Sequence, residues 1–315
     1  MENQSLHTNI LLMEGLKVNA QSSIAAFIFL LLMYGFIMVS NMGLVLLISR
    51  SKSLQQPMYL LFCNMSVNDV FGASIIIPRV LRDIFTSNSD LYIHYIDCVV
   101  QAFCVHLYGT TSHTVLMIMA FDRYVAICNP LRYATIMTNR MVVKLSVAAW
   151  GSALVLVAIL LGLTIRLSRC RRVISNLFCD HASLFKLSCE SVVINQVYGL
   201  GNTVVLLGSS ICSVTLTYLK IAAVCIRSKN KVLNRKALQT CATHLAVYVL
   251  LLVSAFIVVI LHRFPQLSYH RKVAAILGEV ALPALNAVIY GLQIKEVRQR
   301  IVALLHSKQT LMHLK

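Results

Sequence analysis

The chain has 315 residues, 58% of them hydrophobic and 12% charged, with a mean hydropathy of +0.76. An ordinary soluble domain carries about a quarter charged residues, so this composition excludes one and points to a polytopic membrane protein. The net charge of +17 could mark a nucleic-acid binder, but the basic residues fall between long apolar runs and read as membrane topology, with no nucleic acid expected as a partner.

Residues 1–23 read as an extracellular N-terminal segment. Asn3-Gln4-Ser5 is a glycosylation sequon, with Asn3 as the acceptor. The apolar patch Ile10–Met13 stops at Glu14 and no basic stretch precedes it, so no cleaved signal peptide is expected and the first span does the targeting. A helix needs roughly 20 mostly apolar residues to cross the ~30 Å hydrocarbon core. Seven runs meet that length: Ile24–Ser49, Pro57–Leu81, Cys98–Ile127, Arg140–Leu163, Val192–Ile226, Lys236–Leu261 and Lys272–Gly291. The second and seventh are the most polar and are expected to escape a hydropathy threshold. The fold class is therefore all-α, a seven-transmembrane helix bundle over residues 24–291 in contact with membrane lipids.

With the start outside, the inner connections carry Arg50 and Lys52, then Arg132, Arg140 and Lys144, then Arg227, Lys229, Lys231, Arg235 and Lys236, then Lys295, Arg298 and Arg300. Basic enrichment on one side is the positive-inside pattern. Arg169, Arg171, Arg172 and Lys186 break it in the long fourth connection, and four cysteines fall on the outer side, Cys98 at the start of the third span and Cys170, Cys179 and Cys189 in that connection. Extracellular thiols are normally oxidised, and the sequence leaves three pairings open. Residues 292–315 form a cytoplasmic tail in which Gln293–His306 alternates basic and apolar residues at helical spacing, as a short amphipathic helix lying on the inner surface would.

The third span ends in Met119–Tyr133, MAFDRYVAICNPLRY, with Asp122, Arg123 and Tyr124 in a row. In a soluble protein such a triplet is a solvated helix face. At the end of a membrane helix the arginine can pair with its acid in one state and be released to a partner in another. Pro57-Met58-Tyr59, Tyr218–Ile221, Lys236–Leu245 and Pro283–Tyr290 join it, with Asn41 and Asp69 as single polar positions in the first and second spans. On these residues the chain resembles the odorant receptor family of rhodopsin-like G-protein-coupled receptors, from the first span to the end of the seventh, and its details are most similar to the fish branch. Ala287 departs from the pattern, standing where the family usually has proline.

The resemblance implies a plasma-membrane receptor that binds a small-molecule odorant within the bundle and activates a heterotrimeric G protein of the stimulatory, cyclic AMP-raising type. It implies disulfides Cys98–Cys179 and Cys170–Cys189. Asp69 would face Asn41, Ser112 and Asn286 in a polar pocket suited to water or a sodium ion, or in a purely structural network; no other cofactor is expected. Asp122, Arg123, Tyr124, Tyr218, Asn286 and Tyr290 would carry activation and coupling. The ligand site would draw on Val105, His106, Gly109 and Thr110 in the third span, Asn202 and Thr203 in the fifth, Ala255, Phe256 and Val259 in the sixth, and Glu279 in the seventh. That is the mainly apolar make-up of small-molecule sites.

His113 reads as a satisfied core histidine. Glu279 needs a partner at its depth, and protonated His106, a ligand cation, or polar neighbours and water around a neutral carboxyl are the three possibilities. Arg166, Arg169, Arg171, Arg172 and Lys186 would make the pocket rim positive. No enzyme motif (HExxH, GxSxG or phosphate loop) is present. Lys272 lies at the edge of the seventh span rather than inside it, and Val105 stands where an amine receptor has its acid, which argues against an opsin and an amine receptor. The competing reading is an ion or proton channel or transporter using Asp69, Glu279 and the histidines.

Overall fold

The computed structural model describes residues 9–15, 20–86, 91–228, 231–293 and 298–299. The Asn3 sequon and most of the amphipathic tail expected over Gln293–His306 lie outside them. Seven long helices dominate: α1 (Ala20–Arg50), α2 (Pro57–Asp83), α3 (Tyr95–Cys128), α5 (Asn139–Ile165), α7 (Val193–Arg227), α8 (Lys231–Leu261) and α9 (Ser268–Gln293). Two short helices, α4 (Tyr133–Ile136) and α6 (His181–Phe185), sit in the connections. Each long helix covers one of the seven expected spans.

Their ends follow from local chemistry. Pro57 opens α2, where a missing backbone N–H costs nothing. Thr138 caps α5 by accepting from the Met141 N–H at 3.2 Å. Six of the seven helices are long and apolar enough to cross a membrane by themselves, and the seventh qualifies when Tyr95–Cys128 is counted together with the bent segment after it. The expectation for the second and seventh spans is thus corrected, since their windows reach mean hydropathies of 1.6 and 1.8. The weak one is α3, whose middle carries His106, Thr110, Thr111, Ser112, His113 and Thr114.

That polarity fits its position, because α3 runs through the middle of the bundle against α2, α5, α7 and α8, while α1 packs on α2 and α9. Met65, Leu116 and Met119 belong to the largest buried cluster, and Val39, Val147 and Val205 stay more than 60% exposed on the outer surface of the bundle, as lipid-facing side chains do. At one position helix packing demands glycine: a Cβ on Gly72 would meet the Tyr108 ring at 2.5 Å, so α2 and α3 come together on a side chain laid flat over bare backbone. Despite an internal Pro283, α9 continues unbroken to Gln293, and Ala287, where the family usually has proline, favours that continuity.

A small sheet closes the end of the bundle opposite Arg123. Strand β1 (Ile10–Met13) lies between β2 (Tyr92–His94), antiparallel, and β3 (Val173–Ile174), parallel. Leu11 faces Ile93 and Met13 pairs with Ile174, and these alternate residues are buried, as a two-residue period requires. The patch before Glu14 is therefore the middle strand of a sheet. Both expected disulfides are present: Cys98–Cys179 ties the start of α3 to the long connection, and Cys170–Cys189 closes that connection on itself.

Candidate functional site

At the arginine end, Arg123 pairs with its neighbour Asp122, its Nε donating to Oδ2 at 3.0 Å, and the second carboxylate oxygen accepts from the Tyr133 hydroxyl at 2.9 Å. Asp122 is buried and both of its oxygens are engaged, so the acid cages the guanidinium while α4 braces the acid. Beside them a cleft of about 280 Å³ runs between Met58, Phe62, Met119, His244 and Tyr290, with Asp122 and Arg123 in its wall. Tyr290 stacks on Phe62 with ring centroids 4.5 Å apart, and its buried hydroxyl has no partner. Across the cleft the Tyr218 hydroxyl lies 2.6 Å from His244 Nδ1 and links α7 to α8. Neither Tyr133 nor His244 was singled out from the sequence, although both lie inside motifs that were. Tyr124 packs against Phe121 and faces the Lys220 ammonium at 5.6 Å.

In the middle of the bundle Asn286 donates to Asp69 Oδ2 at 3.0 Å, and Asn41 donates to the Pro283 carbonyl at 3.3 Å. Ser112 does not join them. Its hydroxyl accepts from Asn68 at 2.9 Å and donates to the Tyr108 carbonyl, because it lies on the face of α3 turned to Asn68 rather than to Asp69. Asn41 Oδ1, Asp69 Oδ1 and Asn286 Oδ1 are all buried without a partner. Hard oxygen acceptors with one carboxylate among them suit water or a monovalent cation. Among the described residues no cluster of three or more His, Cys, Asp or Glu is placed to hold a metal. His113 is not the satisfied core residue expected: its Nδ1 is buried and unpaired, and its ring meets Tyr248 edge-on at 6.5 Å.

The ligand residues named from sequence fall into separate surroundings. Glu279 lines a cleft of about 190 Å³ with Leu30, Ile76, Ile77, Val80, Ile276 and Val280, between the first, second and seventh spans, and its Oε2 has no partner. His106 is not beside it. His106 Nε2 accepts from the His181 backbone N–H at 3.0 Å, so the His106–Glu279 pair is not formed and the histidine holds the long connection instead. Position on one helix face does not say which neighbouring helix a side chain will meet. Val105 packs with the buried cluster of Leu177 and Phe178, Thr110 is buried, and a Cβ on Gly109 would find open space. Thr203 bonds the Gly199 carbonyl one turn back at 2.8 Å, Asn202, Ala255 and Val259 are half-buried, and Phe256 is exposed.

Over the disulfide end, Asp180 caps α6 by accepting from the Ser183 N–H at 2.6 Å, while its other oxygen accepts from Asn176 and from His262 Nε2 at 3.0 Å. Burial works against its charge, but the bonds from His262 and Ser183 outweigh burial and hold the carboxyl well below the usual carboxylate range. Burial first, and His106 second, push the His181 imidazole down to about 4. The expected basic rim is partly committed: Arg169 lies over the Tyr95 ring at 3.7 Å and Arg166 bonds the Leu163 carbonyl, whereas Arg171, Arg172 and Lys186 are exposed. Lys272 is anchored on the Glu14 and Gly15 carbonyls.

Seven apolar helices around a polar midline, a connection locked by two disulfides and a caged arginine at the opposite end define a multi-pass membrane receptor. A family model described as olfactory receptor matches residues 30–308. The chain belongs to the olfactory receptor family. It is 31% identical to human olfactory receptor 52D1 over 282 residues, covering 88% of each chain. It is 34% identical to human olfactory receptor 52N5, covering 86% of this chain and 84% of the relative, and 32% identical to human olfactory receptor 4E1 over 98% and 96%. These are receptors, not enzymes.

Proposed function

We propose that the chain binds a small odorant among the outer halves of its helices and passes the event to a heterotrimeric G protein, of the cyclic AMP-raising type, at the arginine end. The caged Arg123 carries this reading: the Asp122 carboxylate holds it at the edge of a cleft between spans, ready to be exchanged for a partner's acceptor. In this reading the N-terminus faces outward, which puts the disulfides in an oxidising compartment and the Arg123 end in the cytoplasm. Olfactory receptor 52D1 and its like bear names consistent with an odorant ligand.

The outer-half residues His106, Thr110, Asn202, Thr203 and Glu279 would supply a few polar contacts within apolar walls that include Val259. Asn41, Asp69 and Asn286 would hold a sodium ion or water through their unpaired oxygens, stabilising the resting packing of α1, α2 and α9. The test is an odorant panel on transfected cells, with cyclic AMP and membrane current read in parallel. Ligand-evoked cyclic AMP that disappears in Arg123→Ala at normal surface expression supports the reading. Ligand-evoked current independent of G protein would replace it with the channel reading.

A further inference from the structure

The outer connection meets the bundle through an unusual contact. His106, two turns inside the third span, presents Nε2 as an acceptor to the backbone N–H of His181, the first residue of α6. An imidazole accepts there only when it is neutral, with its proton on Nδ1. A second proton would place N–H against N–H and turn an attraction into a clash. The groups around this contact are ionisable too. From the connection come Asp180 and the His181 ring, whose centroid is 6.2 Å from that of His106 and edge-on to it; from the end of α8 comes His262, bonded to Asp180. Asp180 also feels Lys186, and Arg263 and Arg271 act on Lys186 in turn.

The remaining contacts give this point leverage over the connection. The Cys179 N–H donates to Gln101 Oε1 at 2.9 Å, and the Cys98–Cys179 bridge fixes the chain one residue before Asp180. The His181 ring packs edge-on to Phe185 at 5.0 Å, and a Cβ on Gly199 would reach its Cε1 at 2.8 Å, so the ring fills the space that glycine leaves on α7. The segment after the bridge thus rests on the buried Leu184, Phe185 and Leu187, the helix cap at Asp180, the ring in its slot and the bond to His106. Only the bond to His106 must fail when its acceptor takes a proton.

We propose that His106 and the backbone of His181 form a proton-sensitive latch, which holds α6 over the end of the bundle at neutral pH and releases it when His106 takes up a proton from an acidic exterior. The contact between His262 Nε2 and Asp180 does not involve the His106 ring and keeps the base of α6 in place. The release is therefore a local hinge about Asp180 and not a loss of the whole connection. The latch depends on the outward placement of this end and not on an odorant or a G protein, so its test is separate from that of signalling.

The test is hydrogen–deuterium exchange of the segment spanning α6, measured on full-length receptor in lipid nanodiscs at pH 7.5 and 5.5 and corrected for the intrinsic exchange rate. The His181 ring is removed from the comparison by His181→Leu, which keeps the backbone donor. In His181→Leu, protection should fall about tenfold between the two pH values, the factor by which a released imidazole of ordinary pKa gains its proton over that interval. In His181→Leu/His106→Gln, where the glutamine oxygen can accept the bond but does not titrate, the fall should stay within twofold. An equal fall in the double variant, or none in the single one, overturns the latch. Wild-type receptor gives a readout that needs no variant: the ring Cε1 signal of His106 and the amide signal of His181 should titrate with a common midpoint, and distinct midpoints also overturn it.

Discussion

The Tyr218 hydroxyl and His244 Nδ1 lie 2.6 Å apart and form a side-chain bond between the fifth and sixth spans at the arginine end. A buried bond of this kind contributes about 1 kcal/mol. Tyr218→Phe and His244→Phe should each lower the apparent thermal stability of purified receptor by that order, and the double variant should lose no more than either alone. Strictly additive losses would mean that the two side chains do not act on each other.

Asp122 holds Arg123 with one oxygen and Tyr133 with the other. Asp122→Asn keeps the shape and removes the charge, so cells carrying it should show ligand-free cyclic AMP several-fold above wild type. Tyr133→Phe should move the same readout in the same direction by less. Arg123→Ala should abolish the response at unchanged surface expression, and a full response from a well-expressed variant would refute the assigned role.

Glu279 and His106 have different neighbours, the one between the first, second and seventh spans and the other under the disulfide-bonded connection. On an identified agonist, the losses of potency in Glu279→Gln and His106→Ala should therefore add in the double variant to within about 0.5 kcal/mol. A strongly non-additive result would restore a direct pair.

The His181 imidazole is held down at about 4, against an ordinary value of 6.5, by burial and by His106. The unfolded chain binds more protons between those values, so stability is full above about pH 6.5 and declines as pH falls towards 4. The decline should amount to about 2–3 kcal/mol as an upper bound. Thermal unfolding from pH 7.5 to 4.5 should show it in wild type, and His181→Leu should flatten the curve by the His181 share. An unchanged slope would show that the ring titrates freely in the fold.

The membrane spans were legible because the bilayer thickness imposes a length, and Ile24–Ser49 or Arg140–Leu163 can hardly be read otherwise. Strand β1 was not, because four apolar residues carry no length signal and its partners lie some 80 and 160 residues away. The midplane was half legible. Asp69 and Asn286 meet as the resemblance implied, but Ser112 turns to Asn68, a choice set by the rotation of α3 against α2. At the disulfide end the decisive partner of His106 is a backbone amide, which any residue but proline at position 181 would offer and no side-chain pattern can announce. Asn64, which bonds both Ser146 and Trp150 to join α2 to α5, went unread for a similar reason: a lone asparagine in a span does not name its neighbour.

The central place of β1 bears on biogenesis. Its two partners are supplied by residues 92–94 and 173–174, so β1 must wait until four spans have been inserted before its sheet can close. Leu11 and Met13 stay without their full cover through that interval, as a standing target for chaperones. The last docking step also gathers β1 with the second and fourth connections in one act, so a receptor whose fourth connection fails to close would leave β1 undocked.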